Sequence, residues 1–238
     1  MPTPITLLYE DDAMVVVDKP AGIAVIPAAG EPPLACLRDR VAAQIGTRAW
    51  VVHRLDRDTS GIVVFARTAD AHRMLSMAVD RRDLERRYTA FVRGVPAITG
   101  EVIDLPLHAA RKGKSRPARD GEAGALPART EVVVTRLWRH QDAVVALVTA
   151  ELHTSHHHQL RVHLRAAAAP VVSDAVYGRS LTPLPADVPS TRLALHASFL
   201  EIPHPSGARR VVVEAPLPAD LRALHDWLDA QWTVEVAA

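Results

Sequence analysis

Short apolar blocks, some continuous and some alternating with polar residues, recur along most of the chain and are typical of β-strands. We predict strands at residues 5–9, 14–18, 50–53, 61–66, 88–92, 131–137, 143–152, 194–202 and 210–214. The acidic turn 10–12 separates the first two strands, and Lys19-Pro20-Ala21-Gly22 interrupts the chain after the second.

Apolar residues spaced three or four apart predict four helices between these strands. They cover residues 34–45, 68–79 and 159–168 and a C-terminal segment that carries Leu221, Leu224 and Leu228. Thr68 is a suitable N-cap for the second helix. Because most predicted strands follow one another directly, the pattern favours an α+β fold with an antiparallel or mixed sheet.

Residues 106–129 differ from the rest, since they are rich in proline and glycine and have little apolar periodicity. We predict a long loop or hairpin excursion. Five basic residues fall within nine positions there: Arg111, Lys112, Lys114, Arg116 and Arg119. They indicate contact with phosphate groups, whereas a solvated loop, partly neutralised by Asp120 and Glu122, is the alternative.

Composition narrows the class of protein. Hydrophobic residues make up 48% of the chain and charged residues 23%, as in soluble globular proteins. Cys36 is the single cysteine, so no internal disulfide is possible, and a buried apolar role is favoured over a reactive thiol. The sequence shows neither a membrane-length apolar run nor a secretory signal, and we expect a cytoplasmic protein. The net charge of +1 does not by itself indicate nucleic acid.

The strongest chemical signal is residues 53–61, His-Arg-Leu-Asp-Arg-Asp-Thr-Ser-Gly, a polar cluster between two apolar strands. Catalytic groups are often presented by such loops. Positive charge from Arg57 and a second nearby arginine favours the ionised carboxylate of Asp56, which suits nucleophilic or electrostatic work. A structural Arg–Asp ion pair, with Thr59 and Ser60 bonding the backbone, is the alternative.

This segment resembles the His-Arg-Leu-Asp-x-x-Thr-Ser-Gly signature of the RluA-type pseudouridine synthases. Other segments resemble further motifs of that family in the same order. They are Lys19-Pro20-Ala21-Gly22, residues 88–94 (Tyr-Thr-Ala-Phe-Val-Arg-Gly), 127–131 (Pro-Ala-Arg-Thr-Glu), 158–164 (His-Gln-Leu-Arg-Val-His-Leu), 174–178 (Asp-Ala-Val-Tyr-Gly) and 192–197 (Arg-Leu-Ala-Leu-His-Ala).

The resemblance implies one catalytic domain over residues 1–238. Its fold would be the α+β pseudouridine synthase fold, with a mixed, largely antiparallel sheet, flanking helices and a central catalytic cleft. The catalytic pattern begins within the first twenty residues. We therefore expect the form of the family without an additional N-terminal RNA-binding domain.

The resemblance also implies an activity, the isomerisation of a uridine in structured ribosomal or transfer RNA to pseudouridine. The uridine is flipped out, and its uracil leaves the ribose, turns and rejoins through carbon 5. Because the reaction neither gains atoms nor changes oxidation state, we expect no cofactor and no metal. The partner is RNA, no membrane is involved, and the protein is expected to be a monomer.

Roles follow from the resemblance residue by residue. Asp56 corresponds to the essential aspartate, whether it attacks the ribose, attacks the base or removes a ribose proton. The remaining residues bind the substrate: Tyr88 stacks on the base, Arg161 pairs with Asp56, Leu160 and Leu195 line the base site, and Arg54 lies near the flipped nucleotide.

The chain departs from the family pattern where Thr-Gly-Arg-Thr-His-Gln becomes Thr154-Ser155-His156-His157-His158-Gln159. Ala168 and Ser173 also stand where glycine is usual. These changes motivate an alternative, a non-catalytic RNA-binding or RNA-folding protein on the same fold. A more remote alternative is a metal-dependent hydrolase whose ligands come from a histidine cluster, namely His153, His156, His157, His158 and His163.

The basic cluster gives a first test. Reversing several of its charges to glutamate should weaken RNA binding and flatten its dependence on salt, because fewer counterions would be released. Titration of labelled RNA at several salt concentrations measures both quantities. An affinity and salt dependence equal to those of the unaltered protein would refute phosphate contact.

Overall fold

The computed structural model describes residues 3–27, 32, 34–98, 101–110, 113–178, 184–207 and 209–235. Within them the strands are β1 (Thr6–Glu10), β2 (Met14–Lys19), β3 (Trp50–Val51), β4 (Ser60–Ala66), β5 (Glu85–Arg93), β6 (Val102–Asp104), β7 (Leu107–Ala110), β8 (Lys114–Pro117), β9 (Arg129–His140), β10 (Ala143–Leu152), β11 (Leu195–Pro203), β12 (Arg210–Glu214) and β13 (Thr233–Glu235). The helices are α1 (Leu37–Ile45), α2 (Ala69–Asp80), α3 (Gln159–Ala166) and α4 (Ala219–Gln231).

The chain divides into two units, Met1–Arg86 with His196–Pro216 and Arg87–Leu195 with Leu217–Ala238. In the first unit, β2 pairs antiparallel with both β1 and β4. The opposite edge of β4 has two partners: β3 runs antiparallel to its end, and β11 runs parallel to its start at Ser60 and Gly61. β12 extends the sheet by pairing antiparallel with β11.

Side chains along a strand alternate between the two faces of a sheet. In the first unit, each face of β4 packs against a different helix. Ile62 and Val64 of β4 pack with Leu75 of α2. Val63 and Phe65 point the other way and lie in a cluster with residues of α1. The loop that leads into β4 is therefore attached to a strand that is buried along its whole length.

The second unit is built on the hairpin of β9 and β10, with β5 antiparallel to the free edge of β10. β6 and β13 pair with the other edge of β9, and β7 and β8 form a separate two-stranded sheet. Helix α4 packs through Leu228 and through Asp229, which accepts a 2.7 Å hydrogen bond from Nε1 of Trp138. The ring of Trp138 stacks on Phe91 at 5.9 Å.

The α+β class and the largely antiparallel sheet predicted from the sequence are confirmed. Among the strand pairs given above, β4 with β11 is parallel and the others are antiparallel. The predicted excursion 106–129 contains the β7–β8 hairpin. The prediction of one domain over the whole chain stays a prediction.

Two single residues meet their expected roles. Thr68 caps α2, and its side chain accepts a 3.1 Å hydrogen bond from the backbone of Ala71. Cys36 is completely buried, and its burial raises the pKa of its thiol, so it packs as an apolar group. No helix of the described residues has both the length and the apolar character needed to cross a bilayer.

The structure explains why glycine is usual at two positions where this chain departs from the family pattern. Ala168 has φ +59° and Ser173 has φ +57°. This left-handed region brings a Cβ too close to the following carbonyl, so that residues other than glycine occupy it at a cost. Both departures therefore retain the backbone of the glycine and accept strain.

Ala168→Gly should stabilise the fold by about 1 kcal/mol, because glycine adopts positive φ without that strain. Ala166→Gly is the matched control, since Ala166 is also exposed but is the last residue of α3 and is not among the residues with positive φ. There glycine should destabilise by about 0.5–1 kcal/mol. Urea unfolding of the two variants should give changes of opposite sign, and equal signs would contradict the strain at Ala168.

Candidate active site

Asp56 lies half-buried in the loop between β3 and β4, and the loop is closed by a turn. The backbone N–H of Thr59 donates to the carbonyl of Asp56 at 3.2 Å. Leu55, the residue before Asp56, packs against the core of the first unit. The carboxylate is thus presented by a short, held segment, while Arg54 is exposed beside it.

A completely buried lysine supports this loop. Nζ of Lys19 donates to the carbonyl of Arg57 at 2.8 Å, to that of Ile23 at 2.8 Å and to that of Pro20 at 2.9 Å. The backbone N–H of Gly22 donates to the same Arg57 carbonyl at 2.9 Å. Because an ammonium group has three protons to donate, these carbonyls satisfy it and tie the turn after Lys19 to the loop of Asp56.

The residues at the two ends of the motif act on the backbone. Nε2 of His53 accepts a 3.2 Å hydrogen bond from the N–H of Val64, so the ring continues the edge of β4 beyond β3. Gly61 has φ +114°, and a Cβ there would collide with the backbone of Ala197. Only glycine therefore allows β4 and β11 to come together at this point.

Ser60 and His196 form a buried pair behind the loop. Oγ of Ser60 lies 2.9 Å from Nδ1 of His196, and Nε2 of that ring lies 3.2 Å from the carbonyl of Ala215. Both ring nitrogens thus have protein partners, as buried polar groups need. The pair links β4, β11 and the segment after β12.

Most residues predicted to bind the base belong to the second unit and are buried. Tyr88 is in the centre of β5 and is 9% exposed. Leu160 lies in the first turn of α3, and Leu195 is the first residue of β11, with 4% and 3% exposure. Their burial agrees with a place in an apolar pocket, and their contact with a base stays a prediction.

Arg161 makes a two-pronged ion pair with a carboxylate of its own unit. Its Nε and Nη2 donate to the two oxygens of Asp174, each at 2.8 Å, and both side chains are buried. Although burial acts to raise it, the pKa of Asp174 is held below its usual range by this guanidinium and by backbone N–H groups. The predicted pairing of Arg161 with Asp56 stays a prediction.

Asp174 also organises the turn that follows it. Its Oδ1 accepts hydrogen bonds from the N–H of Val176 at 2.8 Å and of Tyr177 at 2.9 Å. Gly178 donates its N–H to the Asp174 carbonyl, and a Cβ at Gly178 would lie 2.6 Å from that oxygen. The Asp-x-x-Tyr-Gly segment therefore serves to hold Arg161.

Tyr177 connects this turn to the basic excursion. Its hydroxyl accepts from the N–H of Ser115 in β8 at 3.0 Å and lies 2.8 Å from Nδ1 of His158 at the start of α3. The guanidinium carbon of Arg161 lies 5.1 Å from the centre of the same ring. Strand β8 is thereby held against the N-terminus of α3.

The altered segment before α3 keeps a contact with the end of the excursion. Nε2 of His156 lies 2.9 Å from the carbonyl of Pro127. Gln159 accepts hydrogen bonds from Thr154 at 2.9 Å and from the N–H of His156 at 3.2 Å. His156 thus binds the altered segment to the end of the excursion.

The five histidines proposed as metal ligands do not act as one set. His163 is completely buried, with Nδ1 2.9 Å from the hydroxyl of Thr130 and Nε2 2.9 Å from the carbonyl of Leu105. Burial lowers its pKa, so the neutral ring uses both nitrogens within the fold. His163 therefore has no nitrogen left for an ion.

The basic cluster is only partly within the described residues, since Arg111 and Lys112 lie outside them. Lys114 and Arg119 are exposed. Arg116 forms a two-pronged ion pair with Glu122, which lowers the pKa of that carboxyl to about 2. Glu122 therefore offsets the charge of Arg116, and the roles of all five basic residues stay predictions.

Lys19, His53, Asp174 and Tyr177 lie within the motifs named above, but the sequence does not predict their roles. The position of Lys19, two residues after the apolar run Val15–Val17, is a usable signal, because unpaired lysines are almost never fully buried. The partner of Asp174 could not be found this way, because Arg161 is thirteen positions earlier.

His53 should make stability depend on pH. Burial, together with the charge of Arg86, lowers its pKa to about 3 from 6.5. The unfolded chain then binds the proton more readily, so stability is complete above pH 6.5 and is lost as the pH falls toward 3. Between pH 7 and 5 the wild type should lose about 1–2 kcal/mol more than His53→Gln, measured by urea unfolding. Equal losses would show that folding does not lower the pKa of His53.

Comparison with known proteins places this arrangement in a family. The sequence profile described as RNA pseudouridylate synthase matches residues 13–166. The chain is 38% identical over 237 residues to "Ribosomal large subunit pseudouridine synthase D" of Xanthomonas campestris, covering 93% of this chain and 68% of that protein. The protein of the same name from Nitrosomonas europaea is 36% identical, with 93% and 64% covered.

A structural neighbour agrees on the fold. The solved structure titled "Human RNA Pseudouridylate Synthase Domain Containing 4" has a TM-score of 0.76 at 23% identity, covering 98% of this chain and 95% of that chain. The profile match spans β2 to α3 and includes the segments that carry Asp56, Tyr88 and Arg161. The chain therefore belongs to the RNA pseudouridylate synthase family and is an isomerase that acts on RNA.

Proposed function

We propose that this protein converts a uridine of large-subunit ribosomal RNA into pseudouridine and that Asp56 carries the reaction. The observation that supports Asp56 most directly is the way its loop is held. The buried ammonium group of Lys19 and the N–H of Gly22 both bind the carbonyl of Arg57, the residue after Asp56. Such support fixes the position of a reactive carboxylate before substrate arrives, as catalysis requires.

The reaction explains why a positioned carboxylate is enough. The bond between ribose and nitrogen 1 of uracil breaks, the uracil turns, and carbon 5 forms the new bond while its proton is lost to solvent. The base regains a proton at nitrogen 1, so atoms and charge balance without a redox partner. Asp56 supplies the negative group that acts at the start of this sequence.

Tyr88, Arg161, Leu160 and Leu195 are proposed to hold the base during the turn. Stacking on an aromatic ring is worth about 1–3 kcal/mol per base, which repays part of the cost of flipping. The phenol ring of Tyr88 sits in the middle of a strand and is therefore rigid. Asp174 fixes the guanidinium of Arg161 through two hydrogen bonds, so its orientation does not depend on the substrate.

The substrate class rests on the relatives. Several proteins 33% to 38% identical to this chain are named ribosomal large subunit pseudouridine synthase D. Ribosomal RNA is therefore favoured over transfer RNA. We further propose that the protein works as a monomer in the cytoplasm, where its RNA is assembled.

The exposed cations of the excursion are proposed to bind the backbone of this RNA. Lys114 and Arg119 are exposed, and β8 is anchored through Ser115 to Tyr177. Charges on an anchored strand lose less freedom on binding than charges on a free loop. Arg54, exposed beside Asp56, is proposed to take the space that the flipped nucleotide vacates.

The role of Asp56 is tested with a single amide. Asp56→Asn should abolish pseudouridine formation in ribosomal RNA, because an amide cannot supply the negative charge, while RNA affinity should change by less than about threefold. Asp58→Asn is the matched control, since Asp58 is an exposed acid of the same loop. It should remain active.

The readout is site-by-site pseudouridine mapping of ribosomal and transfer RNA after incubation with each protein. Product formed by Asp56→Asn at the rate of the wild type would refute the proposed role. Product in transfer RNA alone would refute the proposed substrate. If the wild type and Asp56→Asn both bind the RNA but neither modifies it, the result would favour a non-catalytic RNA-binding protein instead.

A further inference from the structure

Arg86, the second residue of β5 and the last residue of the first unit's N-terminal segment, is a buried cation without an ion-pair partner among the described residues. It is 7% exposed, and its Nε is buried without a hydrogen-bond partner. Within the described part of the chain, no carboxylate lies within ion-pair distance of it. Other arginines of the unit are paired, for example Arg67 with Glu10 and Arg210 with Asp83.

An unpaired buried charge is costly, and folded proteins seldom keep one without a use. Arginine cannot escape the cost by losing its proton, because its pKa is too high. An apolar side chain of similar length would fill the same space without this penalty. The position of Arg86 is therefore explained by something that binds to it.

The surroundings of Arg86 select an anion. The charge of Arg86 acts on His53 and, after burial, is the second cause that lowers the pKa of that ring. Nε2 of His53 accepts a hydrogen bond from Val64, so the ring is neutral and its acceptor atom is already occupied. The first residue of the catalytic motif thus neither neutralises Arg86 nor competes with it for an anion.

The position of Arg86 on its strand selects the kind of anion. The burial of β5 alternates so that Arg86 and Tyr88 lie on the same face, about 7 Å apart along the strand. That separation is about the length of one nucleotide unit, from a base to a phosphate of its own chain. A planar guanidinium matches the oxygens of a phosphate with two parallel hydrogen bonds.

We infer that Arg86 binds a backbone phosphate of the RNA next to the target uridine and so positions the nucleotide for Asp56. This inference rests on the proposed function and adds a contact to it. Arg86 is a positioning residue, because it holds the backbone and takes no part in the bonds that break and form.

The test replaces Arg86 with methionine, which has similar length and no charge. Arg86→Met should fold with a thermal midpoint equal to or above that of the wild type, because an unpaired buried charge is removed. Its affinity for ribosomal RNA should fall roughly tenfold, as expected for the loss of one charge-assisted contact. The slope of log affinity against log salt should become shallower by about 0.7–0.9.

Arg73→Met is the matched control, because Arg73 carries the same charge on the exposed face of α2. It should leave both affinity and slope unchanged. Binding is measured with Asp56→Asn present in every protein, so that turnover does not alter the RNA. Steady-state rates of the catalytically intact proteins should show a raised KM and an unchanged kcat for Arg86→Met.

Arg86→Lys covers the case in which methionine prevents folding. Lysine keeps the charge but loses the two-pronged geometry. It should keep the salt slope of the wild type and bind RNA less tightly, by about threefold. A folded Arg86→Met with wild-type affinity and slope would overturn the inference, and so would Arg86→Lys with wild-type affinity.

The two proposals fail separately. If the wild type forms no pseudouridine in any ribosomal RNA, the proposed function is wrong, whereas the binding comparison at Arg86 still gives its own answer. If pseudouridine forms normally and Arg86→Met changes neither KM nor binding, only the inference at Arg86 is wrong.

Discussion

The loop of Asp56 depends on one buried ammonium group. Lys19 lies at the end of a strand that is almost wholly buried, where a charge without partners would cost several kcal/mol. Its three carbonyl contacts remove that cost only when the loop stands in one position. Lys19 therefore holds together two segments that are far apart in sequence, around residues 19–22 and 53–61.

The second unit uses the same principle with opposite sign. The carboxylate of Asp174 is fully buried and receives two hydrogen bonds from Arg161 and two from backbone N–H groups. Its charge is thereby kept inside the protein, and it holds a guanidinium that would otherwise have several rotamers. In each unit, a buried and fully hydrogen-bonded ion fixes the position of a residue proposed to act on the substrate. Lys19 holds the loop of Asp56, and Asp174 holds Arg161.

The sequence predicted the fold class and most strands and helices because periodicity reports burial, and burial decides these elements. It located β10 and β12 to the residue, since turns bound them on both sides. The three-residue strands β6 and β13 were missed, because their pairing is supplied by the edge of β9 rather than by their own pattern. The motif predicts Asp56 as the catalytic residue, whereas the pairing of Arg161 with Asp174 depends on tertiary folding and has no signal in the sequence.

The departures from the family pattern show what each motif position requires. Ala168 and Ser173 keep a glycine-like backbone with side chains that resist it, so the backbone path matters more than the residue type. Where the family pattern has an arginine, this chain has His156, whose Nε2 lies 2.9 Å from the carbonyl of Pro127, so the altered segment is bound to the end of the excursion. Gly61 admits no such exchange, because the backbone of Ala197 occupies the space that any Cβ would need. Ala168 and Ser173 thus tolerate backbone strain, whereas the collision at Gly61 leaves no alternative to glycine.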